Sequence, residues 1–564
     1  MKSLYIVLFM FAPAALMAQG RIDRSKAPKP GPAPQIKIAD PASFTLANGL
    51  RVFVVQNSKL PRVSATLTID RDPVLEGDKA GFVSLAGGLL TRGTETRSKA
   101  ELDEAVDFLG GNLSGSATSV SVASLKSNFP KLVELMADVA LHPAFAAEEL
   151  EKIRKQTLTS LQSAKDNPGA ISSNVVNMLV YGKNHPYGEI ETETTVKNVT
   201  LDDIKKYYST YWKPNVAYLV FVGDITAAEA KKLSEKYFSA WKRGLVPKAN
   251  FSQPKAPAKT YIAVVDRPSS VQSVIKLVAP ISLKPGTPDV IPGSVMNDIL
   301  GGGFSGRLFA NLREKHGFTY GAYSSVRPDK WVGEFNASAS VRTEKTDSAI
   351  GQFLYEFNRI RNSMVPQDEL SRMKNALSGS FARSLEQPST IANFALNIAR
   401  YNLPKDYYRN YLTNLAKVSV GDIQRVAKTY VMPENLHIVI VGNAKAFAPG
   451  LEKYGEVHYF DIYGNEIAKP VEKKVDANVT AEGVIQKSIE AIGGSKAIAG
   501  ITDISLSGKI TVMDNPVDYS QKVIIPAGFV TEVLFQGMVV QKDMLNNGEY
   551  TRVQQGTNVP VDEK

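Results

Sequence analysis

Apolar and polar residues alternate where the folded part of the chain begins. Phe44 and Leu46, then Leu50, Val52 and Val54, flank Asn48-Gly49. A period of two predicts strands, and Asn-Gly accepts the positive φ of a tight turn, so the pair reads as a hairpin. A further strand is expected over 63–69. The period then lengthens: helices are expected over 81–90 and 99–109, a β-like segment over 113–125, and longer helices over 130–141 and 147–165. A helix over 201–211 and an apolar strand over 217–222, ending in Gly223-Asp224, close the run.

That closing unit recurs. Residues 199–224, VTLDDIKKYYSTYWKPNVAYLVFVGD, align without gaps on residues 418–443, VSVGDIQRVAKTYVMPENLHIVIVGN. Asp203/Asp422, Tyr211/Tyr430, Pro214/Pro433 and Gly223/Gly442 coincide. FAAEEL at 145–150 is echoed by VPQDEL at 365–370. A repeat this long, with strands, helices, then helix and strand in each copy, indicates two copies of one α+β domain. We place them at 41–242 and 260–446. Residues 243–259, holding Pro247, Pro254 and Pro257, form the linker. A connector is expected over 447–479 and a small β-rich unit over 480–564. That unit opens with a helix over 481–492 and continues in alternating runs at 504–512, 523–525, 530–535 and 539–542.

Residues 299–325, ILGGGFSGRLFANLREKHGFTYGAYSS, combine a glycine turn, a short amphipathic helix, a second turn and a strand. Ser305 is placed to cap the helix, and Leu308, Phe309 and Leu312 share one face. Gly317 falls where a chain leaving a helix takes positive φ. Strict alternation beyond it sets Tyr320, Ala322 and Ser324 on one face. Reversal at Gly317 brings Arg313 toward Tyr320. A guanidinium beside a phenol can hold a peptide backbone by hydrogen bonds; the plainer reading is a surface ion pair and a packed ring.

Composition narrows the possibilities. With 564 residues, 43% apolar and 22% charged, the chain is long enough for several folded domains. Its formal charge of +10 is spread along the length, and no nucleic-acid-binding pattern stands out. Lys2 precedes an apolar run from Leu4 to Leu16, with small residues near Ala18, as in a secretory signal over 1–19. A proline-rich spacer follows over 20–40. The absence of cysteine excludes disulfides and thiolate metal sites. Export is expected, to a periplasm first and to the medium second.

The search for chemistry is mostly negative. His142, His185, His316, His437 and His458 are too scattered for either zinc-binding spacing, H-x-x-E-H or H-E-x-x-H. Gly301, Gly302 and Gly303 are not followed by the Gly-Lys-Ser/Thr of a phosphate loop. Glu148-Glu149 reads as a solvated helix surface.

The repeat, the FTLANGLRV opening and above all GGGFSGRLFANLREKHGFTYGAYSS resemble the pitrilysin/insulinase-type zinc peptidase family, over about residues 41–442. The resemblance implies two homologous α+β domains that assemble in pairs around a peptide chamber. It also implies a zinc motif, H-x-x-E-H, a few residues before a Gly-Thr. Here the corresponding stretch is GFVSLAGGLLTRGT, so the histidine positions fall on Ser84 and Gly88 and the glutamate on Gly87. The third ligand position falls near Ser160 and its supporting glutamate near Ile153. Hydroxyls and glycines cannot replace imidazoles and carboxylates as ligands or as a base.

The family includes paired enzymes in which one subunit keeps the zinc and the other an Arg/Tyr pair that holds substrate. Arg313 and Tyr320 match that pair in residue type, spacing and context, with Gly301–Gly303 shaping the wall beside them. The expectation is therefore a non-catalytic, substrate-gripping subunit, carrying no cofactor itself, of an exported heteromeric zinc metalloendopeptidase. Zinc would reside in a partner bearing H-x-x-E-H. The alternative is a proteolytically dead binding or scaffold protein of the same fold in an envelope complex.

Overall fold

The computed structural model describes residues 40–470, 480–512 and 515–559. The signal segment and the spacer up to residue 39 lie outside the described residues. The described residues up to 470 form one compact unit, and those from 480 onward form a second.

The first unit holds both copies of the repeat. In the first copy, β1 (Ala42–Thr45), β2 (Arg51–Gln56), β3 (Arg62–Ile69), β4 (Asn112–Ser116), β5 (Ser119–Leu125) and β6 (Ala217–Gly223) make one sheet, ordered β1-β2-β6-β3-β5-β4. The hairpin expected at Asn48-Gly49 joins β1 and β2, with Gly49 at φ 90°. The second copy builds a sheet from β7 (Tyr261–Asp266), β8 (Gln272–Ile281), β9 (Thr319–Arg327), β10 (Gly333–Arg342), β11 (His437–Gly442), β12 (Glu456–Phe460) and β13 (Glu466–Ile467). Its order is β13-β12-β7-β11-β8-β10-β9. The run β2-β6-β3-β5-β4 thus corresponds strand for strand to β7-β11-β8-β10-β9. In each copy the repeated strand, β6 or β11, pairs parallel on one side and antiparallel on the other.

The repeated helices begin in the same way because their caps are the same. Thr200 and Asp203, and likewise Ser419 and Asp422, exchange side-chain and backbone hydrogen bonds as reciprocal capping boxes. Gly223 and Gly442 close both strands where a Cβ would strike the neighbouring strand, 2.1 Å from Arg62 O and 2.8 Å from Ser273 Oγ. Strands β12 and β13 lie in the segment expected as connector; they extend the second sheet beyond residue 446 because Glu456–Tyr459 pairs parallel with β7.

Two helices not anticipated from the pattern join the copies. Asn167 caps the first, Pro168–Tyr181, by accepting from Gly169 N (2.9 Å) and Ala170 N (3.1 Å). This helix belongs in sequence to the first copy, yet it buries Ile171, Val175, Val176 and Val180 on Ala263, Val265, Val278, Val439 and Val441 of the second sheet. The second, Pro388–Tyr401, does the reverse: Ala392 and Ala395 pack on Phe53, Val55, Tyr218 and Val220 of the first sheet. Each copy covers the other's outer face. Arg400–Asp70 (3.0 Å), Lys330–Asp72 (2.8 Å) and Lys276 Nζ–Ser173 Oγ (2.8 Å) add polar ties.

The second unit is a meander. Helices Ala481–Ala491 and Gly494–Ala499 precede six antiparallel strands, β14 (Asp503–Val512), β15 (Asn515–Ile524), β16 (Gly528–Phe535), β17 (Met538–Asn546), β18 (Glu549–Gln554) and β19 (Thr557–Val559), each paired with the next. This is the β-rich unit expected at the C-terminal end.

Candidate functional site

The glycine stretch stands at the end of helix Val290–Leu300 and is stitched to β9. Gly301 O accepts from Ser324 N (2.8 Å), and the Ser324 hydroxyl donates to Asn297 Oδ1 (2.9 Å). The backbones approach too closely for side chains. A Cβ on Gly301 would lie 2.7 Å from Leu308 Cδ1 and 2.8 Å from Ser324 N; one on Gly302 would lie 2.0 Å from Asp298 Oδ1. A Cβ on Gly303 would meet nothing within 4 Å. Burial beneath this loop pushes the Asp298 carboxyl up to about 6.

The helix that follows is not the regular one expected. Its cap is Gly306, without a side-chain bond, and not Ser305. Only Arg307–Phe309 is α-helical; Ala310–Lys315 is wound as a π-helix, which commonly marks functional segments. Leu308, Phe309 and Leu312 are buried, as their spacing predicted. Two polar anchors fix the segment. Arg307 forks onto Glu369 (Nε–Oε1 2.9 Å, Nη2–Oε2 2.7 Å), and Asn311 Nδ2 donates to buried Glu356 Oε1 (2.7 Å). Sequence reasoning missed both anchors; the signal available was a polar residue on either side of the apolar stripe.

Arg313 and Tyr320 stand on either side of the turn at Gly317, whose φ is 61°. Arg313 is exposed, and its guanidinium lies 4.7 Å from the centre of the Phe309 ring. Tyr320 is 86% exposed. Among the described residues Arg313 makes no ion pair and the Tyr320 hydroxyl no hydrogen bond, so neither is consumed by the fold. The expectation that Tyr320, Ala322 and Ser324 share a face is corrected by a bulge. Thr319 pairs with Val341 and Ala322 with Ala339, leaving Tyr320 and Gly321 opposite Ser340 alone. The extra residue breaks the alternation, so Ala322 and Ser324 point into the core while Tyr320 faces outward.

The positions matched to a zinc site lie on helix Phe82–Leu89 and helix Ala147–Ala164. Ser84 and Gly88 are exposed one turn apart, and Ser160 is exposed as well. Gly87 is packed so tightly that a Cβ would fall 2.3 Å from Ala117 N, and a Cβ on Gly88 would touch Ile153 at 3.3 Å. An apolar side chain thus borders the position matched to a histidine, and the residues present do not fit zinc. Nearby carboxyls are otherwise engaged. Glu76 accepts from Gly81 N (2.9 Å) and Val83 N (3.0 Å), Glu189 from Glu76 N, and Glu191 from the Ser84 hydroxyl. Burial raises the affinity of all three for a proton. Among the described residues no group of three or more His, Cys, Asp or Glu side chains could hold a metal ion. Glu149, expected on a solvated surface, is instead buried and paired with Lys152 (2.5 Å) and Arg92 (3.4 Å).

Comparison with known families decides the lineage. The model described as insulinase (peptidase family M16) matches residues 51–190, and that described as the peptidase M16 inactive domain matches residues 198–377. The chain belongs to the insulinase, or M16, peptidase family. Among its relatives, an uncharacterised zinc protease of Streptomyces coelicolor is 24% identical over 71% of this chain and 89% of its own. A protein of Helicobacter pylori named a non-peptidase homolog is 23% identical over 65% of this chain and 86% of its own. The crystal structure of a peptidase M16 inactive domain from Pseudomonas fluorescens superposes with a TM-score of 0.65 at 24% identity, covering 72% of this chain and 98% of that one. A protease from Helicobacter pylori gives the same TM-score at 22% identity, covering 72% of this chain and all of that one. Within the M16 family the inactive-domain model ends beyond the glycine loop, Arg313 and Tyr320, so all of these residues fall inside it.

Proposed function

We propose that this chain is the non-catalytic, substrate-gripping subunit of an exported, heteromeric M16 zinc metalloendopeptidase. The observation that carries the reading is the pairing of two features. Arg313 and Tyr320 are exposed with no polar partner among the described residues, and the matched zinc positions are Ser84, Gly87, Gly88 and Ser160. In this reading Arg313 and Tyr320 donate hydrogen bonds to carbonyls of a bound peptide and hold it extended. A partner of the same family, bearing H-x-x-E-H, supplies zinc and the activated water. Positioning of this kind lowers a barrier through geometry alone. The glycine loop, tied to Ser324 and Asn297, forms the adjacent wall, and the N-terminal signal carries the chain out of the cytoplasm.

The test is reconstitution. Mixing the chain with an exported H-x-x-E-H relative from the same genome should create endopeptidase activity that neither has alone. Arg313→Ala with Tyr320→Phe should then lower kcat/KM by about a hundredfold. An unchanged rate in that double variant would rule out gripping. A second reading, a binding or scaffold protein without proteolysis, is favoured by the relative named a non-peptidase homolog. It predicts a stable complex with the partner but no gain of peptidase activity.

A further inference from the structure

Where helix Pro388–Tyr401 of the second copy crosses the first sheet, it leaves a cleft of about 420 Å³. Alternation along β2 sets Arg51, Phe53 and Val55 on the face that the helix covers. The helix rests Ala392 and Ala395 on β2 and β6, against Phe53, Val55, Tyr218 and Val220. On the β1 side the face stays open, and Ser43, paired there with Phe53, is exposed. Phe53, Ile391, Phe394 and Ile398 make the floor and inner wall of the opening.

That wall is preformed. Phe394 lies flat on Tyr408 (3.7 Å between centroids, 6°) and stacks on Phe381 (5.9 Å, 12°), which stacks in turn on Tyr411 (4.4 Å, 29°). Asn397 Nδ2 donates to the Tyr408 hydroxyl (3.1 Å). A column of four rings therefore holds one side of the cleft, and the first sheet holds the other. The rim is cationic. Arg51, Lys405 and Arg409 stand on it with a single carboxylate, Asp40, which Arg409 already pairs. Arg51 lies over the rings of Phe53 (5.9 Å) and Tyr218 (5.3 Å). Neither Arg51 nor Lys405 makes an ion pair among the described residues.

An apolar floor beneath uncommitted cations suits an anion with an apolar tail. A peptide fits it poorly. Strand β2 is paired on both sides and the helix bonds itself, so peptide amides laid on that floor would be buried without partners. A hydrocarbon chain has no such groups to lose. We propose that this cleft binds a fatty acid, its tail on Phe53, Ile391, Phe394 and Ile398 and its carboxylate against Arg51 and Lys405. Both copies line the site, as is common for ligand sites at domain junctions. The inference stands apart from the gripping role of Arg313 and Tyr320.

The experiment titrates the full chain with hexanoate, octanoate and decanoate by calorimetry, all below their micelle-forming concentrations. Affinity should rise by about fourfold for each methylene that the cleft buries. Octyltrimethylammonium, with an equal tail and the opposite charge, should bind about tenfold more weakly than octanoate. Arg51→Gln with Lys405→Gln should weaken octanoate by about tenfold and keep the gain per methylene. Ser43→Trp fills the cleft from β1 and should remove that gain. The three replaced side chains are exposed, so thermal unfolding of the ligand-free variants should match the parent. Equal binding of octyltrimethylammonium would reduce the site to apolar adsorption and overturn the proposal. Tighter binding of acetyl-Ala-Ala-Leu, with its free carboxylate, than of octanoate would reassign the cleft to peptide ends. Failure of all three acids to bind, or unchanged affinity in both variants, would also overturn it, and none of these outcomes touches gripping.

Discussion

Arg307 and Glu369 hold each other through two parallel hydrogen bonds, 2.9 and 2.7 Å long, at the start of the π-wound segment that carries Arg313. Arg307 is 7% exposed and Glu369 is half-buried, so the pair is only partly reached by water and salt. Removing the arginine leaves the half-buried Glu369 carboxylate without its partner, which costs more than the pair itself contributes. Arg307→Ala should lower stability by about 2–4 kcal/mol, read as a shift in the urea midpoint. Arg307→Lys keeps the charge but not the fork and should recover only part of the loss. Arg313→Ala, a few residues on and exposed, should stay within about 0.5 kcal/mol of the parent.

The three glycines before that segment differ in what they tolerate. Gly301 and Gly302 face backbone and Asp298 at distances no Cβ can occupy, whereas Gly303 faces open space. Gly301→Ala and Gly302→Ala should each cost about 1–3 kcal/mol. Gly303→Ala should be silent within about 0.5 kcal/mol. Denaturant titrations of the three single variants would separate a structural wall from a freely substitutable one.

Asp298 gives this loop a pH dependence. Its carboxyl is raised by burial from 3.8 to about 6, so the folded state favours the protonated acid. Stability associated with this group is complete below the unfolded value and is lost as pH rises through about 6. Asp298→Asn keeps the shape without the charge. It should match the parent at about pH 4 and exceed it by about 1 kcal/mol at about pH 7, after allowance for the partial exposure of the site. Melting temperatures across that range would show the curves diverging as the acid ionises.

How much of this was legible varied with how local the cause was. The hairpin at Asn48-Gly49, the two capping boxes and the Leu308/Phe309/Leu312 stripe are set by neighbours in sequence, and the pattern exposed them. The outward turn of Tyr320 depends on one extra residue opposite Ser340, which alternation cannot show. Glu149 is buried where Arg92, far off in sequence, reaches it from another segment, a contact the local charge pattern does not show. Helices Pro168–Tyr181 and Pro388–Tyr401 escaped notice because the surface each covers belongs to the other copy. Their apolar residues answer to a partner sheet far away along the chain. The zinc positions and the Arg313/Tyr320 match were legible only through family resemblance.

That exchange of helices determines what cutting the linker should do. Lys255 and Lys259 are exposed between the copies, and each offers trypsin a site. Cleavage there severs the backbone but not the cross-packing. Val175 and Val176 remain buried on the second sheet, Ala392 and Ala395 on the first, with Arg400–Asp70 and Lys330–Asp72 intact. The nicked halves should co-elute as one species in native size-exclusion chromatography and part only in denaturant. Val175 is fully buried, and placing a charge there would cost several kcal/mol through an unpaired buried carboxylate. Val175→Asp should therefore allow the nicked halves to separate without denaturant. Separation of the nicked parent under native conditions would mean that the linker, and not the exchanged helices, keeps the copies together.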